Sequence, residues 1–158
     1  MGLLICSGTK MDGWRRHAIY FAPAEGSALA RFGSDWLGEG SFELPGLPVP
    51  RAALVAEPAR YGFHATLKAP FRLAAGRGEA ELDAAAAGVA AECARFELGL
   101  RVAALGAFLA LVPEAAPPEL AALEAACVTR LDGFRAPATA EELARRRAAG
   151  LDPEAEAN

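Results

Sequence analysis

The sequence predicts an α+β domain whose sheet is largely antiparallel, and two observations support this. Segments rich in β-formers and segments with helical periodicity follow one another in the order β-α-β-α-β-β-α-α. Several of the links between them have hairpin length, which favours antiparallel neighbours over parallel ones. The 158 residues, 23% of them charged, fit one folded globular domain. We expect a disordered leader over residues 1–10, a single domain over 11–150 and a disordered acidic tail over 151–158.

The first half of the chain holds two predicted strands and one helix. "WRRHAIYFA" is rich in β-formers and ends at Pro23. "AEGSALARFGSDWLG" places apolar residues at helical intervals and ends at Gly38. Residues 38–58, rich in proline and glycine, predict a long surface loop. The second strand is "RYGFHATLKAPF", residues 60–71, ended by Pro70.

The second half predicts three helices and two short strands. Helical spacing marks "GEAELDAAAAGVAAECARF" and "PELAALEAACVTRLDGF". Between them "FELGLRVAAL" and "GAFLALVP" predict strands joined tightly around Gly106. Thr139 and Glu142 form a predicted capping box for the last helix, and Gly150 its C-cap.

Charge and composition restrict the classes of partner. A net charge of -4 provides no basic excess for broad binding to nucleic acid. The basic residues 145–147 follow Glu141 and Glu142 on the same predicted helix, which favours a solvated, ion-paired helix end. No apolar run reaches the roughly 18 residues of a membrane span. Three scattered cysteines are typical of reduced thiols, so we expect a cytoplasmic protein without a disulfide framework.

The strand over residues 60–71 carries the candidate chemistry. Alternation places Tyr61, Phe63, Ala65 and Leu67 on a predicted core face, and it places Arg60, Gly62, His64, Thr66 and Lys68 on the other face.

Three residues of the second face suit a phosphate ester. His64 can take up or return a proton, Thr66 can donate a hydrogen bond to phosphate, and Lys68 can neutralise developing negative charge. The structural alternative is a strand with one wet side, because a lone H-x-T tripeptide often occurs by chance.

The chain resembles the 2H phosphoesterase superfamily, and within it a family encoded in bacterial phosphonate-metabolism operons. The resemblance rests on "WRRHAIYFAP", "FGSDWLG", "YGFHATLKAPFRL", "FLALVP" and "FRAPATAEELARRR", in that order. It implies a bilobal fold whose two halves each give one histidine and one hydroxyl residue to a central cleft. It further implies cyclic phosphodiesterase chemistry without a metal or other cofactor. By position, it assigns His64 and Thr66 to catalysis, and Lys68 and Tyr20 to substrate binding.

The sequence departs from that pattern because a second H-x-T/S motif is missing. The other histidine, His17, is followed by Ala18 and Ile19 and is interpreted as a satisfied or surface residue. We therefore expect that the fold lacks its C-terminal strand or strands. This leaves a sheet edge that invites dimerisation.

Three functions stay open on the sequence. The first is a phosphodiesterase-type hydrolase scaffold for a small cyclic phosphate, a phosphorylated sugar or a nucleotide, linked to phosphonate metabolism. The second is a non-catalytic remnant that binds phosphate or a nucleotide. The third is a purely structural domain.

Overall fold

The computed structural model describes residues 2–7 (backbone only), 15–38, 45–46, 49–106, 108–148 and 150. Helices and two separate antiparallel sheets confirm the predicted α+β class. In chain order the elements are β1 Gly2–Ser7, β2 Arg16–Ala22, α1 Ala28–Leu37, α2 Arg51–Ala59, β3 Ala65–Arg72, α3 Glu79–Glu92, β4 Leu100–Leu105, β5 Phe108–Pro113, α4 Pro118–Arg130, a 3₁₀ turn Asp132–Phe134 and α5 Ala140–Ala148.

Two elements differ from the sequence prediction. Strand β1 lies within the predicted disordered leader and pairs antiparallel with β2. Helix α2 occupies the end of the predicted loop, because its alanine-rich segment favours a helix and its one internal proline, Pro58, falls in the last turn. The predicted tail, residues 151–158, lies outside the described residues.

Among the described residues the larger sheet has the order β1-β2-β3, so β2 is central and β3 has β2 as its strand partner. Dimerisation through a sheet edge stays a prediction. None of the helices in the described ranges is long and apolar enough to cross a membrane.

The core lies where α3 and α4 pack against this sheet. Ile19 of β2 and Leu67 and Phe71 of β3 project into it and meet the buried faces of the two helices. Those faces follow the predicted helical spacing, with Leu82, Ala86 and Val89 buried on α3 and Leu123 and Cys127 buried on α4. Burial raises the pKa of the Cys127 thiol, so Cys127 stays protonated as a packing residue.

Strands β4 and β5 form a separate hairpin, as the sequence predicts. Gly106 takes the left-handed conformation, with φ +60°, in the two-residue connection. Apolar side chains on both strands remain largely outside the core, since Val102 is 66% exposed and Leu109 is 63% exposed.

Strand β3 contains two irregularities in its pairing with β2. Tyr20 lies opposite Thr66, yet its neighbour Ile19 lies opposite Lys68, so Leu67 is an extra residue in β3. A second register shift follows between Ile19 and His17. Each extra residue is a β-bulge, which interrupts the alternation of side chains along the strand.

The predicted capping box at the start of α5 is confirmed. The Glu142 amide donates to Thr139 Oγ1 at 3.1 Å, and the Thr139 amide donates to Glu142 Oε2 at 2.9 Å. Arg72 at the end of β3 also donates to Glu142, at 3.2 Å, so this carboxylate ties α5 to the sheet.

We expect Leu82→Ala to lower the free energy of unfolding by about 2–5 kcal/mol, because it leaves a cavity in the core between α3 and α4. Urea denaturation measures this loss. The matched control is Leu109→Ala on the exposed hairpin, which should change stability by less than about 0.5 kcal/mol. Equal losses in the two variants would contradict the assigned core.

We expect Glu142→Gln to lower stability at neutral pH by about 0.5–2 kcal/mol, because glutamine can still accept from the Thr139 amide but lacks the charge that strengthens this hydrogen bond and the one from Arg72. The hydrogen bond from the Thr139 amide and the one from Arg72 lower the pKa of Glu142 from 4.5 to about 2. A carboxyl whose pKa falls on folding stabilises the protein above its unfolded pKa and loses that contribution as the pH falls towards its folded pKa.

The difference between wild type and Glu142→Gln should therefore be largest near pH 7 and shrink from pH 4.5 down to about pH 2. Denaturation across this range measures it. Glu141→Gln, which removes the same charge from the exposed side of the same helix, serves as the control. A pH-independent difference for Glu142→Gln would overturn the assigned cause.

Candidate functional site

His64 lies in the short connection between α2 and β3, and packing fixes the course of that connection. Gly62 takes a left-handed conformation, with φ +73°, which favours glycine at this position. The ring centroids of Phe63 and Phe32 are 6.0 Å apart in an edge-to-face arrangement. Phe63 also lies so close to Gly33 that a Cβ atom on residue 33 would overlap the Phe63 side chain. Helix α1 therefore holds the residue that immediately precedes His64.

The His64 ring is oriented by two neighbours. Its Nδ1 lies 2.8 Å from the Gly62 carbonyl oxygen. Since a carbonyl can only accept, Nδ1 carries the proton of the neutral ring, and Nε2 is left as the proton acceptor. The ring also stacks on Tyr20 at 4.0 Å between centroids and 30° between planes.

Thr66 shares the face of the sheet that His64 occupies. It lies directly opposite Tyr20 in the pairing of β2 with β3, and directly opposite residues project to the same side. Its side chain is exposed. We call His64, Thr66 and Tyr20 the histidine face. It offers a ring nitrogen that can accept a proton, beside a hydroxyl that can donate a hydrogen bond.

Lys68 is not on the histidine face, which corrects the position predicted from strict alternation. The bulge at Leu67 turns Lys68 to the side of Ile19, where it is only 6% exposed. Its Nζ donates to the Val128 carbonyl at 2.9 Å and to Asp132 Oδ1 at 3.3 Å. Lys68 therefore holds the C-terminal end of α4 against β3.

The predicted core face of residues 61–67 also differs in part. Leu67 is buried, whereas Tyr61 and Ala65 are exposed and Phe63 is half-buried. The reason is that Tyr61 and Phe63 precede the strand, which begins at Ala65.

His17 is buried, with 3% of its surface exposed, so it is not a surface histidine. Its Nε2 lies 3.1 Å from Glu79 Oε1, while no protein atom in the described part of the chain pairs with its buried Nδ1. Like Ile19, it projects towards the core, whereas Tyr20 belongs to the histidine face. The two histidines thus do not meet in one site.

Two features of the site were missed at the level of sequence. The first is the Gly62 carbonyl, which orients the His64 ring although no side chain marks this role in the sequence. The Leu67 bulge carries no local signal that sequence reasoning could use. Within the described ranges no group of three or more His, Cys, Asp or Glu residues is arranged to hold a metal ion.

Two curated proteins are similar to most of this chain. Both are called ribose 1,5-bisphosphate phosphokinase PhnN, one from Janthinobacterium sp. (strain Marseille) and one from Laribacter hongkongensis (strain HLHK9). The first is 44% identical over 87% of this chain, and the second is 41% identical over 78% of it. The matched segment is 32% of each relative, so the chain spans about a third of their length.

No solved structure matches the chain significantly. One protein family matches residues 66–158, which is more than half of the 158 residues and includes Thr66 and most of β3. The chain therefore belongs to the family described as "Protein of unknown function (DUF1045)".

Proposed function

We propose that the histidine face takes part in phosphate ester hydrolysis, with His64 as the group that transfers the proton and Thr66 as a hydrogen-bond donor to the phosphate. In this proposal the family is a branch of the 2H phosphoesterase superfamily, which the chain resembles around "YGFHATLKAPFRL". The histidine face would then form one of the two halves of the central cleft that this resemblance implies.

One observation carries the proposal. The hydrogen bond from His64 Nδ1 to the Gly62 carbonyl leaves Nε2 to accept a proton from water or from a ribose hydroxyl. A backbone carbonyl that fixes the tautomer is a recurrent way to prepare a histidine for acid–base work. A histidine that is only exposed to solvent does not need neighbours that fix the orientation of its ring.

The substrate class we propose is a small cyclic phosphate or a phosphorylated sugar in phosphonate metabolism. The two relatives support the sugar, because their name refers to a ribose bisphosphate. Their kinase activity is not proposed for this chain, which covers 32% of each relative.

The second candidate function is binding without turnover. A hydrolysis of the 2H type uses one histidine as the base and another as the acid, whereas the other histidine here, His17, projects towards the core. Under this alternative the histidine face still binds phosphate through Thr66 and protonated His64, but it does not accelerate the reaction.

We expect His64→Asn to reduce hydrolysis of a ribose 2′,3′-cyclic phosphate by about 10²–10⁴-fold, the usual contribution of one general acid or base. The asparagine amide can still donate to the Gly62 carbonyl, so the variant removes the proton acceptor and keeps the turn. Phosphorus NMR follows the product.

The control for this experiment is Tyr61→Phe, an exposed change three residues away. It should leave the rate unchanged. If wild type and His64→Asn hydrolyse the substrate equally, catalysis by His64 is excluded. If neither hydrolyses it but both bind it, the function is binding without turnover.

We expect Thr66→Val to weaken binding of the same cyclic phosphate by about tenfold, since a hydrogen bond to a charged group is lost at constant side-chain size. Titration calorimetry measures the dissociation constant. Thr129→Val is the matched control, because its hydroxyl is exposed and donates within α4 to the Ala125 carbonyl. An unchanged constant for Thr66→Val would remove Thr66 from the site.

A further inference from the structure

A cavity of about 460 Å³ opens at the C-terminal end of β3, away from the histidine face. The C-terminal half of β3 forms one wall, and the segment from Asp132 to α5 forms the other. That segment runs along β3, since the Ala136 amide donates to the Arg72 carbonyl at 2.8 Å and Leu73 bridges to Arg135. The volume suits a small organic ligand.

The charged side chains that line this cavity are mostly cationic. They are Arg16, Lys68, Arg72, Arg135 and Arg145, with the carboxylates Asp132 and Glu142. Within the described part of the chain, five positive groups and two negative groups line the cavity, an excess of three positive charges in a chain whose net charge is -4. We call this cavity the basic pocket.

Arg16 and Arg72 form a first group of cations, next to Glu142. Arg72 Nη2 lies 3.2 Å from Glu142 Oε2 and 2.8 Å from the Pro137 carbonyl, while its register partner Arg16 is 3.8 Å from Glu142 Oε1. The longer distance exceeds that of a hydrogen bond. Arg16 therefore contributes charge here without being hydrogen-bonded to the carboxylate.

Lys68 and Arg135 form a second group of cations, next to Asp132. Arg135 donates to both of its carboxylate oxygens, at 2.7 and 3.3 Å, and buried Lys68 lies 3.3 Å from it. Both carboxylates have a lowered pKa, Asp132 chiefly through Arg135 and Glu142 chiefly through the Thr139 amide. They therefore stay ionised at neutral pH and hold the cations in place.

We propose that the basic pocket binds a small molecule with two phosphate groups, one at the Arg16–Arg72 pair and one at the Lys68–Arg135 pair. Among the residues that the structure describes, each carboxylate lies between two cations, so each group carries more positive than negative charge. Arginine's planar fork suits phosphate oxygens, and the partial burial of Arg72 and Arg135 strengthens such contacts. Arg145 of α5 adds a further charge on the open side of the pocket.

The basic pocket is separate from the histidine face, and its proposal does not rest on hydrolysis there. Thr66 and Arg72 are six residues apart along β3, which at about 3.3 Å per residue is roughly 20 Å. Lys68, which lines the basic pocket, also projects to the opposite side of the sheet from Thr66.

The test is titration calorimetry with inorganic pyrophosphate and with orthophosphate, at about 0.15 M salt to suppress non-specific attraction. We expect pyrophosphate to bind one to one, and about tenfold more tightly than orthophosphate, since it can engage both cationic groups. Arg16→Gln and Arg145→Gln should each weaken pyrophosphate binding by about five- to tenfold.

Two controls locate the binding. Arg101→Gln removes the same charge from the exposed hairpin, and Arg60→Gln removes it from the exposed end of α2, close to the histidine face. Both should bind pyrophosphate as the wild type does. The proposal is overturned if the wild type shows no saturable binding, if either control weakens it as much as the pocket variants do, or if Arg16→Gln and Arg145→Gln leave it unchanged.

Discussion

The antiparallel pairing of β2 with the bulged strand β3 determines which side of the sheet Tyr20, Thr66 and Lys68 face. Because Leu67 is an extra residue, Leu67 and Lys68 both project towards the core side, while Thr66 stays beside Tyr20 on the other side. The core, the histidine face and one wall of the basic pocket thus share one strand. A regular strand would have placed Thr66 and Lys68 together.

Much of the fold follows from local sequence signals. Helices α3 and α4 are long and their buried residues recur at helical intervals, and the Thr139–Glu142 capping box forms with both of its hydrogen bonds. The sequence also predicts the hairpin through Gly106. Strand β1 and helix α2 escape prediction for physical reasons. A short apolar strand gains its stability from its partner β2, and prolines around α2 mask a segment of high helical propensity.

The candidate site is predictable only in part. His64 and Thr66 are recognisable as an H-x-T pair, and Tyr20 comes from the neighbouring strand. The orientation of the His64 ring depends on Gly62 and on the packing of Phe63 against α1, which are tertiary features. The basic pocket depends even more on the fold, because its cations come from β2, β3, the segment after α4 and α5. Of the basic residues that line this pocket, the sequence draws attention only to Arg145, as part of the basic run 145–147. The sequence predicts an ion-paired helix end there and gives no sign that Arg145 lines a cavity.

The β4–β5 hairpin gives the chain two levels of stability. A two-stranded hairpin is marginal by itself in water, and these strands chiefly contact one another. The elements around Leu82 and Cys127, by contrast, share one continuous core. The hairpin can therefore open locally while the sheet, the histidine face and the basic pocket remain folded. Substitutions on the exposed faces of β4 and β5 should accordingly change the stability of the hairpin and leave both candidate sites intact.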